Sequence, residues 1–385
     1  MDPNRFTDKK TGRIVPIRVP GGSDFAFVPD DLPPRWEFPK SLWPKLADAK
    51  MALGKLDGIG SVLPSPELLL TPLRRQEAII SSRIEGTYAT AQEMLLFEIS
   101  PKEPKSNTDQ ANAWSEVQNY INALKHGTQL LDQYPFCLRV FKQLHSTLMQ
   151  GVRGQLSNPG DFRDLQVAIG SDRRYVPPPP AEMKSCLEAL EKYINFDDQN
   201  FDPLVKAYIA HYQFEAIHPF SDGNGRIGRL LLSLMIEKAC KMQLPWLYMS
   251  SFFERFKDEY VDNLFRISAE GNWEKWIDFC LTGTIKQAED ANRRCYQLRR
   301  LKDEMLNKAR VNGSVRTERI IESLFVNPIV RVSRLKNVLK VTYPTAQSDI
   351  NLLVKANILE PLPGIRPKAF YSPHIMQIAY SDSEF

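Results

Sequence analysis

The chain has 385 residues, 43% of them apolar and 25% charged, the composition of an ordinary globular protein with a sizeable core and length for two or three domains. Its net charge of +4 points to no partner by itself, but residues 315–373 carry nine Lys/Arg against four Asp/Glu, so the basic surplus lies near the C-terminus. The polar start Met1-Asp-Pro-Asn-Arg-Phe lacks a signal-type apolar run, and the densest apolar stretch, Leu230 to Ile236, is far too short to span a bilayer. Five scattered cysteines (Cys137, Cys186, Cys240, Cys280, Cys295) show no close pair, which argues against a zinc site and for reduced thiols in a cytoplasm.

Residues 1 to about 40 are rich in Pro, Gly and charge and lack a helical period, so they read as an extended arm on the body. Leu42 to Leu56 has helical spacing, and Gly58 to Pro66 breaks it. Thr71 then suits a helix cap, Pro72 the first helical position and Gly86 the end. In that helix Leu73, Ile80 and Ile84 form a buried stripe, and Ser81 and Glu85 share a face near the C-terminal end. A carboxylate there opposes the helix dipole, and a nearby arginine could compensate; an exposed glutamate at a helix end is the bland alternative. Thr108 to Gln133 and Pro135 to Leu148 read as helices, and His145 and His211 as core or surface histidines. Val167 to Gly170 and Arg174 to Val176 flank Ser171-Asp172-Arg173, a hairpin signal, with Pro177 to Pro180 stiffening its exit.

The chemistry concentrates in His218-Pro-Phe-Ser-Asp222-Gly223-Asn224-Gly225-Arg226-Ile-Gly-Arg229. Leu204 to Ala216 before it has helical spacing, and Ile227 to Ile236 after it is apolar almost all round, so the motif is a loop opening a buried helix. The start of a helix offers unpaired N–H groups and a positive dipole end. Gly223 and Gly225 let that backbone approach an anion, most often phosphate. Arg226 and Arg229 can fork phosphate oxygens, and Asp222 suits a hard cation such as Mg²⁺. His218 has the ordinary pKa of a base that takes a hydroxyl proton near neutrality. The glycines also fit a dinucleotide fingerprint, but a helix precedes them and no acid follows near Tyr248, so that reading fails on context.

Phe252 to Glu270 and Trp273 to Leu301 read as helices around Gly271-Asn272, the second running on toward Lys308 as a connector. Thr317–Val326, Ser333–Leu339 and Pro344–Ala356 are short helical segments, followed by an extended pair from Ile358 to Tyr371 around Pro363-Gly364. Three helices and a hairpin follow the winged-helix plan. Thr342, Tyr343, Thr345, Gln347 and Ser348 open its third helix, and Arg366 and Lys368 lie on the wing. Those side chains suit DNA contacts, or equally a protein or dimer interface.

His-Pro-Phe-x-Asp-Gly-Asn-Gly-Arg-x-x-Arg resembles the signature of Fic-domain proteins at every fixed position, and Ser81, Glu85 and Gly86 resemble the family's inhibitory motif. The resemblance implies a mainly α fold: a Fic helical core with a β-hairpin flap, here followed by a winged helix-turn-helix domain. The corresponding division is an arm and inhibitory helix over 1–105, a catalytic domain over 106–285, a connector over 286–312 and a winged helix over 313–375. It implies transfer of AMP from ATP, with Mg²⁺ at Asp222, to a Ser, Thr or Tyr hydroxyl of a protein. His218 is then the base, with Gly223, Asn224, Gly225, Arg226 and Arg229 around the phosphates. Tyr260 and Asn263 sit where the family often contacts adenine. Glu85 is expected to pair with Arg229 and displace the γ-phosphate, and a target protein to dock on the flap near 165–177. A homodimer is expected as in many relatives. Transfer of another phosphate-linked group, removal of AMP, and a nucleotide-sensing DNA-binding regulator remain alternatives.

Overall fold

The run from Ile227 to Ile236 becomes the innermost helix of the protein, and the rest is laid around it. The computed structural model describes residues 1–381 apart from 9, 21, 62–65, 107, 152–157, 171, 197–199 and 313–314. A hairpin of β1 (Gly12–Val19) and β2 (Gly22–Pro29) comes first, then α1 (Trp43–Ser61), α2 (Glu67–Ile84), α3 (Ala91–Ile99), α4 (Ala111–Leu131) and α5 (Leu138–Leu148). The centre is α6 (Pro180–Asn195), α7 (Pro203–Ile217), α8 (Asn224–Ala239), α9 (Ser250–Arg255), α10 (Lys257–Glu270) and α11 (Trp273–Asn312). The C-terminal unit is α12 (Val315–Val326), β3 (Ile329–Arg331), α13 (Val332–Leu339), α14 (Tyr343–Lys355), β4 (Glu360–Leu362), β5 (Ala369–Tyr371) and α15 (Pro373–Tyr380).

Every residue of α8 from Arg226 to Glu237 is buried, as an all-round apolar sequence requires. The neighbouring α7 is nearly as enclosed, and α4 and α5 cover the other side. Gly127 of α4 lets the helices meet closely, since a Cβ there would stand 2.5 Å from Leu234 Cδ1. Behind α7 an aromatic stack of Phe253, Tyr260, Trp276 and Phe279 closes the core, with Trp276 Nε1 donating to the Tyr208 carbonyl at 3.1 Å. The main apolar cluster runs from Phe27 to Ala379, so the N-terminal, central and C-terminal segments share one core.

Several elements depart from the sequence reading. The N-terminal arm pairs with itself in an antiparallel ribbon, in register from Gly12 with Pro29 to Val19 with Gly22. Pro16 lies in β1, which pairs with β2 alone, so its missing N–H falls where an edge strand tolerates it. Ala26, Phe27 and Val28 turn inward, and Phe27 N donates to Val176 O at 2.9 Å. Helix α1 continues through Gly54 and Gly58 to Ser61, because its packing along α11 outweighs the roughly 1 kcal/mol propensity penalty of each glycine. Helix α2 starts at Glu67, not Thr71, so Pro72 lies inside it and forfeits one helical bond. The hairpin expected around 171 is reduced to one bridge, Ile169 with Tyr175. The prolines that follow have no N–H with which to extend a ladder, and the Val176 carbonyl is already taken by β2. Ser171 lies outside the described residues.

In the C-terminal unit the expected helices and hairpin are present, with two additions: β3 joins the sheet in the order β3-β5-β4, and α15 follows it. Thr342, Tyr343, Ser348, Arg366 and Lys368 are exposed, while Thr345 and Gln347 are half-buried. All five cysteines are free thiols. Among the described residues no helix is long and apolar enough to cross a membrane.

If α8 is the packing axis, truncating its contact with Gly127 is expensive. Leu234→Ala is expected to lower unfolding stability by about 2–5 kcal/mol. Chemical denaturation measures it; a loss within error would contradict the placement of α8.

Candidate active site

Helix α7 ends at Ile217, and His218 takes a left-handed conformation with φ 51°, its N–H closing on the Phe214 carbonyl at 3.0 Å. A residue with a Cβ adopts that conformation at a cost, so the surroundings must impose it. Arg163 does so. Its Nε donates to the His218 carbonyl at 2.8 Å, and Nη2 donates to Pro178 O at 2.6 Å and Ile217 O at 3.3 Å. Nη1 donates to Leu165 O at 3.1 Å, and the Arg163 N–H donates to Pro219 O at 2.9 Å. This buried guanidinium joins both ends of the flap to the histidine turn. Burial pushes its pKa down to about 10. The sequence reading passed over Arg163; its only local signal was a lone cation beside Phe162.

The loop after His218 is fastened from within. Asn224 Oδ1 accepts from Phe220 N at 2.8 Å while its Nδ2 donates to Phe220 O at 2.7 Å. The Asn224 side chain thereby clamps the loop, while its main-chain N–H lies at the open start of α8. The Phe220 ring stacks on His145 at 3.8 Å. His145 Nδ1 accepts from Gly160 N at 2.9 Å, which leaves Nε2 to donate to the Asp222 carbonyl at 3.0 Å. Burial holds this imidazole neutral, at about 4. His145, set aside in the sequence reading, is therefore a strut of the loop. His211 is a core residue as expected, between Gly228 O and Tyr260 Oη.

Gly223 caps α8 with φ 77°, and the first bond inside the helix is Ile227 N to Gly223 O at 3.0 Å. The N–H groups of Asn224, Gly225 and Arg226 precede that bond and form the anion-binding end. Glu85 already lies against it: a Cβ at Gly225 would fall on Glu85 Oε1. The carboxylate accepts from Arg229 Nη2 at 2.8 Å. Arg229 also donates from Nε to Ser81 Oγ and from Nη2 to the Ser81 carbonyl, both at 2.9 Å. Burial opposes charge on both partners. The attraction nevertheless holds Glu85 below the usual carboxylate range and Arg229 above its ordinary value. Lys257 Nζ donates to the Ile84 carbonyl at 2.7 Å and gives the end of α2 a second cation.

The two motif arginines do not converge. Arg226 is buried and turns to Glu116, its Nη1 donating to Oε2 at 3.1 Å, so of the pair only Arg229 reaches the Glu85 position. Asp222 is 58% exposed at the mouth, with Oδ1 accepting from Gly223 N at 2.6 Å. Among the described residues no three His, Cys, Asp or Glu gather as a metal cluster. One exposed carboxylate beside an anion cradle therefore fits a cation that takes its other ligands from phosphate and water. Glu215, also missed, lies against Gly228, where a Cβ would strike its Oε1; burial pushes it up to about 7. Tyr260 and Asn263 are buried at 3% and 1% exposure. The Tyr260 hydroxyl meets His211 at 2.9 Å, whereas both amide atoms of Asn263 are buried without a partner.

His218 itself is half-buried, with Nδ1 enclosed, so Nε2 is the nitrogen available for chemistry. Burial, then the Arg163 charge, push its pKa down to about 4 against the smaller opposing pull of Glu85 and Asp222. The ring is thus neutral at pH 7 and can accept a proton.

A neutral imidazole stands beside a glycine-lined helix start, inside a mainly α fold. The Fic/DOC family N-terminal domain matches residues 43–129 and the Fic/DOC domain residues 135–236, so the chain is a Fic-domain protein. It is 32% identical to the protein adenylyltransferase Fic of Drosophila grimshawi over 124 residues, 32% of this chain and 24% of that protein. The corresponding protein of Drosophila mojavensis is also 32% identical over 124 residues, 23% of its length. The match thus spans about a quarter of these curated relatives. A Fic family protein from Desulfovibrio desulfuricans has the same fold with TM-score 0.57 and 19% identity, over 89% of this chain and 98% of that one. Fic-1 from C. elegans aligns with TM-score 0.54 and 19% identity, over 67% and 73% of the two chains.

Because Arg163 helps depress His218, Arg163→Met is expected to move the imidazole titration from about 4 toward its ordinary 6.5, as read by NMR. An acid limb unmoved in a folded variant would contradict the coupling. A depressed imidazole contributes its share of stability in full above pH 6.5 and loses it as pH falls toward 4. The variant should therefore also flatten the fall in melting temperature across that window.

Proposed function

We propose that the chain is a protein adenylyltransferase that moves AMP from ATP to a Ser, Thr or Tyr hydroxyl of a protein, and that Glu85 holds it inactive in the state described. The observation that carries this reading is the Glu85–Arg229 ion pair lying across Gly225, at the helix start that His218 faces. ATP rests its phosphates on the N–H groups of Gly225 and Arg226, with Arg229 as the donor for the γ-phosphate once Glu85 withdraws. A target hydroxyl gives its proton to His218 Nε2 while its oxygen bonds to the α-phosphorus. The bond from that phosphorus to the bridging oxygen breaks, and pyrophosphate leaves with the electron pair. Fixed N–H groups at the helix start stabilise charge on the α-phosphoryl oxygens without reorganising. Asp222 would hold Mg²⁺ together with the nucleotide phosphates, and the metal supplies charge neutralisation there.

Burial, with the Arg163 charge behind it, keeps the base neutral, and Arg163 aligns its turn and ties that turn to the flap. Leu165 on the flap is 73% exposed, which supports docking of the target beside His218. Among the described residues the flap carries one bridge, Ile169 with Tyr175, which supports an extended target segment pairing along it.

His218→Ala is expected to abolish transfer of label from [α-³²P]ATP while ATP still binds. Persistent transfer would remove His218 from the base role. Glu85→Gly is expected to raise self-labelling by roughly ten- to a hundredfold, the worth of one charged hydrogen bond regained by the phosphate. Equal labelling of the folded variant and the parent would count against inhibition by Glu85, and the mass of the adduct identifies the group transferred.

A further inference from the structure

Glu85 stands on the turn between α2 and α3, and both helices are gripped from behind by the C-terminal unit. Glu77 and Ser81, one turn apart on α2, face inward. Glu77 accepts from Tyr120 Oη at 2.9 Å and from Ser250 Oγ at 2.6 Å, and Ser81 meets Arg229. Arg75 lies on another flank of the same helix and is 3% exposed. It forks Glu98 of α3 through Nε and Nη2, both at 2.8 Å, and donates to the Val326 carbonyl at the end of α12 at 3.3 Å. It also bonds the Tyr380 hydroxyl of α15. One buried guanidinium therefore fastens α2 to α3 and to two elements of the C-terminal unit.

Helix α3 is held independently. Leu95, with Leu96 and Ile99 beside it, packs into a small cluster with Ile329, Leu362 and Ala369, side chains from all three C-terminal strands. Arg331 Nη1 donates to Ser100 Oγ at 2.6 Å, and Asn327 Nδ2 reaches Glu98 Oε2 at 3.4 Å. Helix α15 is anchored in turn: Arg294 of α11, paired to Asp290, donates to Ile378 O at 2.7 Å and Ser381 O at 2.9 Å. Between the gripped helices, the turn touches the phosphate cradle twice. Glu85 meets Arg229, and Thr87 Oγ1 donates at 2.7 Å to the same Glu116 carboxylate that receives Arg226.

We propose that the C-terminal unit is a latch: its seam with α2 and α3 holds the Glu85 turn on the nucleotide site, and whatever draws the unit off that seam releases Arg229. The turn cannot leave the cradle while α2 and α3 keep their places, and their places are set by buried groups that lose partners if the unit moves. Coupling follows, since the ion pair and the seam stabilise the same position of the turn. The consequence for catalysis rests on the activity proposed above; the coupling itself does not.

The test uses the full chain with Tyr380→Phe and Arg331→Ala together, two substitutions at the seam and none at the nucleotide site. Hydrogen–deuterium exchange across 81–90 is expected to speed several-fold, with exchange in α5 unchanged. Self-labelling with ATP is expected to rise in this variant, and to rise no further when the same pair is added to Glu85→Gly. Faster exchange at 91–99 and 327–331 with none at 81–90 would overturn the latch. So would an equal rise in labelling in the Glu85→Gly background, because the seam would then act elsewhere. If Glu85→Gly does not label at all, the proposed activity fails while the exchange result still decides the latch. Should the pair leave the seam itself unloosened, Asn327→Asp sets a second carboxylate against Glu98 and is judged by the same exchange criteria.

Discussion

The pairing of Arg229 with Glu85 at the start of α8 is the contact on which the arrangement of the site turns. The Arg229 guanidinium is buried on the innermost helix, fixed by Ser81 on one side and facing the start of α8 on the other. A buried guanidinium without an anion is strongly disfavoured, so Arg229 favours states in which a negative group stands beside it. In the state described it is Glu85. The same requirement makes the place suitable for a phosphate, which brings more charge and the same forked geometry.

The surrounding polar groups make sense as supports of that arrangement. Arg163, His145 and Asn224 each bind the main chain of the 217–224 loop, which fixes the turn at His218 against the start of α8. Arg226 is held on Glu116 and so ties the start of α8 to α4. Burial, seconded by a nearby guanidinium, holds all three of these imidazoles neutral: Arg226 beside His145, Arg229 beside His211 and Arg163 beside His218.

The nucleotide loop was legible because its chemistry is local: base, glycines and arginines occupy consecutive positions, and the helices on either side announce themselves by apolar spacing. Partners far along the chain were not legible from spacing. The Glu85–Arg229 pair spans 144 positions and was anticipated only through the family resemblance. The Arg226–Glu116 pair spans 110, and nothing in the spacing of the motif announced it. The arm of residues 1–40 was read as extended without its self-pairing, and Pro72 displaced a helix start, because the rule for proline at a first position was overridden by packing here. The flap was overread as a hairpin, since alternation cannot reveal that its next carbonyl is claimed by β2. The buried Arg163 hub had no signal beyond its charge, as its acceptors are main-chain carbonyls.

The most direct measurement is calorimetric titration of the parent chain and Glu85→Gly with ADP and with ATP, each with Mg²⁺. If Glu85 and the γ-phosphate compete for Arg229, the parent binds the two nucleotides with similar affinity. The variant then prefers ATP by roughly ten- to a hundredfold, the effect of one charge-assisted hydrogen bond. A parent that already favours ATP to that extent, or a folded variant that still fails to distinguish the two, would contradict the account.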